Sequence, residues 1–289
     1  MTRVACIGEA MIELSLDSDI ATLAVAGDTL NTAVYLKRSA PEIEVDYITR
    51  LGNDPFSSRI RDFIASEDIG VSRIGIDPVA VPGLYAITLS PEGERSFTYW
   101  RSASAARHLF GDGDFSALEG YDLIYLSGIS MAILADEVRW QLIDHLQKSG
   151  QRVAYDNNHR PRLWDTADAR AVTEAFWSFV DIPLPSIDDE MAVFGGNEEA
   201  TLSRFSSSSA VGAMKCGETG PVSIGEAVKQ KYSAAPRVID TTSAGDSFNG
   251  GYLAARLRGA SQADALRAGH ELAAKVVGHR GAIIPKSAM

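Results

Sequence analysis

Short apolar runs of strand character alternate along this 289-residue chain with segments of helical spacing, and few architectures absorb that rhythm. Val4–Gly8, Val45–Thr49, Leu123–Leu126, Val153–Asp156 and Val211–Met214 are four or five residues long and read as strands. The stretches near Phe56–Ile64, Glu137–Gln147, Ala169–Phe179 and Leu266–Val277 carry apolar residues three and four apart and read as helices. Parallel strands need long crossovers, and a crossover helix buries its apolar stripe on the sheet it has left. The expected fold is α/β: a doubly wound, mostly parallel sheet flanked by helices on both faces. The length suits one full domain, or one with a small accessory. Ligands of such sheets gather at the carboxyl ends of the strands, where Asp156-Asn157-Asn158 and Lys215-Cys216-Gly217 stand.

One region breaks the rhythm. Pro82 to Arg101 reads as two strands around the turn Pro91-Glu92-Gly93-Glu94, with no helix between them. Period-2 alternation places Phe97, Tyr99 and Arg101 on one face, and does the same for Tyr85, Ile87 and Leu89. On pattern alone this hairpin fits an edge of the main sheet as well as a separate small sheet.

Composition narrows the partners. A net charge of −11 argues against nucleic acid and anionic membranes, which need basic footprints. Small anions remain open, provided Arg and Lys gather locally. No apolar run is long enough to cross a membrane, and Met1-Thr2-Arg3 leads directly into a strand-like run, unlike a signal peptide. Two distant cysteines, Cys6 and Cys216, without a C-x-x-C pair suit a reducing, cytoplasmic setting. The five histidines show no zinc-ligand spacing. Neither a G-x-x-x-x-G-K-[ST] loop nor a G-x-G-x-x-G turn is present, which disfavours P-loop kinases and Rossmann dehydrogenases.

The chemistry concentrates at Asp240-Thr-Thr-Ser-Ala-Gly-Asp246-Ser-Phe248. Phe248, Gly251, Tyr252 and Ala255 share a helical face, so Ser243-Ala244-Gly245 stand at a helix N-terminus and Asp246 in its first turn. Free N–H groups and the helix dipole attract anions there. Donors for a transferring phosphoryl group, beside a carboxylate that accepts a hydroxyl proton, are the working parts of a kinase site. Gly-Asp by itself reads as an ordinary capped helix start. Four other segments carry polar groups: Gly27-Asp28-Thr29-Leu30-Asn31, Asp156 to Trp164 with Arg160, the acidic Ser186 to Glu190, and Lys215 to Gly220. Read locally, Asp28 or Thr29 is the N-cap of the following helix, and Asp189 belongs to an acidic helix start.

Taken together these strings resemble the ribokinase-like, phosphofructokinase B-type carbohydrate kinases. Asp240 to Phe248 is similar to their D-T-x-G-A-G-D-x-F signature, with Ser243 in place of the first glycine. Asp156 to Trp164 matches D-x-N-x-R-x-x-L-W, and Lys215 to Gly220 resembles K-x-G-x-x-G. Ser186 and Asp189 occupy the N and E of N-x-x-E. Ala26 to Asn31 resembles the G-G-D-T-L-N of the 2-keto-3-deoxygluconate kinase branch, and the likeness runs from Gly8 to Pro285. It implies a single ribokinase-like domain over 1–289, with a β-lid formed by about 11–16 and 82–101. It further implies Asp246 as base and Ser243, Ala244 and Gly245 as anion hole. Sugar contacts would come from Gly27, Asp28, Thr29, Leu30, Asn31, Tyr85, Tyr99, Arg101, Arg160 and Asp246. Nucleotide contacts would come from Asn158, Arg160, Ser186, Lys215, Gly217, Gly220, His270 and the anion hole, with Asp189 near Mg²⁺ through water. The expected partners are ATP, Mg²⁺ and a small sugar acid, with room for a monovalent cation, and a homo-oligomer is expected. A neutral-sugar kinase and a catalytically silent nucleotide- or sugar-binding regulator are the alternatives.

Overall fold

The computed structural model describes residues 2–17, 20–89 and 95–289. The central sheet is built from β1 (Arg3–Ile7), β4 (Glu44–Ile48), β9 (Leu123–Ser127), β10 (Arg152–Asp156) and β11 (Ile182–Pro183). All pairings are parallel, in the order β11-β10-β9-β1-β4. The winding reverses between β1 and β9, and a crevice opens at such a switch point beyond the strand ends.

Successive side chains of each strand serve opposite faces. Val4, Cys6, Leu123 and Tyr125 pack with α1 (Asp28–Ser39), α2 (Pro55–Ser66) and α8 (Ala244–Leu257). Ala5, Ile7, Ile124 and Val153 pack with α3 (Gly128–Ile133), α4 (Asp136–Ser149) and α5 (Thr166–Trp177). Burial on both faces explains why these strands are apolar throughout rather than alternating. The helix starts obey local chemistry. Asp54 caps α2 by accepting from Phe56 and Ser57 N–H, with Pro55 in the first turn where no N–H is needed.

α1 starts earlier than its local sequence suggests. Gly27 is its N-cap and Asp28 its first helical residue, so neither Asp28 nor Thr29 is spent on capping. α9 (Gln262–Val276) packs along α8, and α8 crosses α1 at Gly250. A Cβ at Gly250 would lie 2.6 Å from Tyr35 Cβ and 2.8 Å from Leu36 N, so only glycine lets the helices approach this closely.

A second sheet stands apart, in the order β3-β2-β7-β8. It comprises β2 (Met11–Asp17), β3 (Ile20–Ala26), β7 (Leu84–Leu89) and β8 (Arg95–Trp100). Antiparallel pairing sets Tyr85 opposite Tyr99 and Ile87 opposite Phe97, with the two tyrosine rings 5.6 Å apart. β3 is absent from the sequence reading because its three alanines give weak strand propensity, and pairing with β2 decides the matter. The turn expected at Pro91 to Glu94 lies outside the described residues.

The reading of Val211–Met214 as a member of the parallel sheet is corrected. β12 (Gly212–Met214) forms an antiparallel hairpin with β13 (Val222–Ile224) and reaches the neighbouring segment through a single parallel bridge, Lys215 to Ser186. The turn residues Gly217 and Gly220 have φ of 56° and 86°, conformations that fold the chain back rather than carry it into a crossover. Completing the chain are the short parallel pair β5 (Arg50–Leu51) and β6 (Gly75–Ile76), and helices α6 (Ile187–Phe194) and α7 (Glu198–Arg204). No helix among the described residues is long and apolar enough to cross a membrane.

Candidate active site

Beyond the ends of β9 and β10 lies a cavity of about 1510 Å³, walled on one side by the small sheet. A single small-ligand pocket typically holds about 300–1,000 Å³, so this one has room for two substrates side by side. Its walls bring together the Gly27–Asn31 turn, the Asp156–Leu163 segment, Ser186 with Asp189, Lys215, and Val238 to Asp246.

Asp246 sits in the first turn of α8, and its Oδ2 accepts from Asn31 Nδ2 at 2.9 Å. Its carboxyl is pushed up to about 7, chiefly by burial and next by the nearby Asp28 carboxylate, against the Asn31 hydrogen bond and the Lys215 charge. A carboxyl of that kind is poised near neutrality, where a proton acceptor works best. Asp28 is oriented in turn: its Oδ2 accepts from Ser127 Oγ at 2.5 Å and Asn158 Nδ2 at 2.8 Å. Asn158 holds φ of 27°, a positive value that asparagine tolerates better than most residues.

Ser243 precedes α8 with φ of 64°, where the resembled signature has glycine. A left-handed conformation costs an L-residue about 1–2 kcal/mol, so serine is strained where glycine is not. Ala244 N–H closes a turn onto Thr241 O at 3.2 Å. Beneath this loop, Asp156 Oδ2 accepts from Lys215 Nζ at 2.5 Å and from Asn249 Nδ2 at 2.6 Å. Asn249 also donates to Tyr125 OH, which accepts from Thr32 as well. Lys215 is thereby held with its stem 3.8–3.9 Å from where a Gly245 Cβ would stand.

The acids at the head of α6 divide their roles. Ser186 Oγ donates to Asp189 Oδ2 at 2.8 Å and accepts from Asp189 N–H at 3.1 Å, while Asp189 Oδ1 lies 3.7 Å from Arg160. Burial raises the Asp189 carboxyl above its ordinary range. Glu190 is fully buried, accepting from Asn157, Trp177 and Arg204, and anchors the helix away from the cavity.

Not every expected contact converges. Thr29 and Leu30 turn inward, completely buried, with the Thr29 hydroxyl 3.0 Å from Tyr47 OH. Gly217, Gly220 and His270 lie outside the cavity walls; His270 Nε2 is 2.7 Å from Ser233 O, with its ring against Tyr232. Conversely, the sequence reading does not single out Ser127, Asn249 or Arg107, which lines the cavity. Asn249 carries a signal, one turn beyond Asp246 on the same helix face; the other two carry none in local pattern.

An ionisable acid at a helix start, a tight loop of small residues and a lysine beside them are the parts needed to move a phosphoryl group onto a hydroxyl. The profile of the pfkB family carbohydrate kinases matches residues 1–289, and the chain belongs to that family. It is 39% identical to 2-dehydro-3-deoxygluconokinase of Escherichia coli (strain K12), across 99% of this chain and 98% of that one. Against the enzyme of the same name from Haemophilus influenzae it is 38% identical, over 100% and 98%. Among solved structures, fructokinase from Vibrio cholerae O395, bound to fructose, ADP and calcium, superposes with a TM-score of 0.83. That match covers 98% of this chain and 94% of the other at 24% identity, a likeness of fold.

Proposed function

We propose that this carbohydrate kinase transfers the γ-phosphoryl group of ATP to a primary hydroxyl of 2-keto-3-deoxygluconate, giving the 6-phosphate. One observation carries the sugar-acid reading: in a chain of net charge −11, Arg101, Arg107, Arg160 and Arg162 all line one cleft. The relatives named for this activity at 38–39% identity support it. The substrate hydroxyl oxygen attacks the γ-phosphorus as the bond to ADP breaks, and its proton passes to Asp246. Gly245 and its neighbours at the α8 start, with Lys215, face the charge on the transferring group. Asp28 and Asn31 hold the sugar hydroxyls, and the small sheet closes over the sugar as a lid that excludes water.

Magnesium fits this site as part of the nucleotide substrate. Among the described residues no three His, Cys, Asp or Glu side chains gather to hold an ion. Mg²⁺ on ATP keeps several waters and needs only one or two carboxylates. Asp189, on the cavity wall beside Ser186, is the carboxylate proposed to meet such a water. Asp189→Asn is expected to raise the Mg²⁺ concentration giving half-maximal rate while moving the sugar-acid KM much less. An unchanged Mg²⁺ titration would leave Asp189 as a helix-start residue alone.

A phosphorylation screen over sugars and sugar acids tests the substrate. The acid should exceed ribose and fructose by at least about tenfold in kcat/KM, since a charge-assisted contact contributes about 1.5–3 kcal/mol. Arg160→Met should remove most of that gap by damaging the acid substrate more than any neutral one. Preference of the wild-type enzyme for a neutral sugar would end the sugar-acid reading and leave the kinase assignment intact.

A further inference from the structure

Glu9 follows β1 and Arg101 follows β8, so the root of the small sheet joins two charged side chains that the fold removes from water. Arg101 donates through its terminal nitrogen to Glu9 Oε2, and the two side chains are only 9% and 1% exposed. The pair is half satisfied: Glu9 Oε1 and Arg101 Nε are both buried without a hydrogen-bond partner. Gly83 makes the space for it, since a Cβ there would stand 2.6 Å from Glu9 Oε1 and 3.1 Å from Arg101 Cβ. Arg101 also belongs to the cavity wall, beside Tyr99 and Ser102, whereas Glu9 lies behind it.

We infer that Glu9 is a positioning residue, the resident counter-ion of Arg101, which holds the guanidinium when the cleft is empty and shares it with the carboxylate of an incoming sugar acid. This rests on the sugar-acid reading above. Two carboxylates on one guanidinium repel each other, so Glu9 keeps Arg101 in place and at the same time weakens the hold on the anion. A neutral sugar meets no such opposition. Glu9 therefore sets sugar-acid affinity downward and favours release of the charged product, at a cost that a purely attractive site would not bear.

The test compares wild type, Glu9→Gln and Glu9→Asp in the full chain. Without ligand, Glu9→Gln should melt at a lower temperature, because a buried guanidinium has lost its counter-charge. Added 2-keto-3-deoxygluconate should raise that midpoint by more than in wild type, whereas fructose should not. The KM for the acid should fall at least about fivefold, with kcat unchanged or lower. KM values for ATP and fructose should stay at wild-type levels, and Glu9→Asp, which keeps the charge, should behave as wild type. An acid KM that is unchanged or higher in Glu9→Gln overturns the proposal. If that variant is too unstable to purify alone, rescue of folding by the sugar acid but not by fructose supports the proposal, and rescue by neither overturns it. The sugar-acid reading fails separately, on the substrate preference of the wild-type enzyme.

Discussion

Replacing Asp246 by Asn should cut turnover by roughly 10²–10⁴-fold with little change in nucleotide affinity. The amide keeps the shape of the carboxylate and its contact with Asn31 but cannot accept the hydroxyl proton. Near-normal turnover would remove Asp246 from the mechanism. The same residue sets a pH signature. Its carboxyl is raised to about 7 in the folded chain, above its value in an unfolded one. The base is ionised above that pH, so kcat/KM should fall as pH drops through neutrality, with one proton taken up. Stability follows the opposite sense. The ionised form is disfavoured on folding, so the penalty is full above about 7 and vanishes as pH falls into the ordinary carboxylate range. Asp246→Asn should therefore melt higher than wild type at pH 8, with the difference closing near pH 4. A melting difference independent of pH would contradict this origin.

The second large effect is on the fold. Lys215 and Asp156 form a pair whose side chains are 12% and 4% exposed, with the Asp156 oxygen shared by Asn249. Lys215→Met leaves the carboxylate buried and uncompensated, a loss of about 3–5 kcal/mol for a broken buried pair. At about 2–4 °C per kcal/mol, the midpoint should drop by roughly 6–20 °C. Adding Asp156→Asn removes the stranded charge and should restore most of the stability but not the activity, since Lys215 also stands beside Gly245 at the α8 start, the proposed phosphoryl site. Thermal melts of the two single variants and the double variant measure the coupling directly. Strictly additive losses would show that the two charges do not stabilise each other.

Much of the site was legible because its parts are local. The helix start at Ser243-Ala244-Gly245, with Asp246 in its first turn, is readable from nine consecutive residues, and the strand–helix alternation declares the sheet. The partners were not legible. Asn31 meets Asp246 across 215 residues, and Asp28 meets Asn158 across 130. No local periodicity encodes which polar groups the strand order brings face to face. Asp28 looked like a helix cap because Asp commonly is one; Gly27 takes that place, and the carboxylate turns to Ser127 and Asn158 instead. Gly217 and Gly220 carried a motif, yet the hairpin of β12 and β13 holds them outside the cavity walls.

The close crossing of α1 and α8 at Gly250 separates two things that could change independently. Asn31 and Asp246, which touch each other, ride on that locked helix pair, whereas Tyr85 and Tyr99 belong to a sheet with its own hydrogen bonds, and Arg101 stands just past its strand β8. On the proposed reading, redesign of the carboxylate contacts can be confined to the sheet and the Arg160 loop while Asp28 and Asn31 stay fixed on α1, as one exchanges a tool head while keeping its handle. Any substitution that thickens the helix crossing would shift Asp246, the proposed base, in every such design at once.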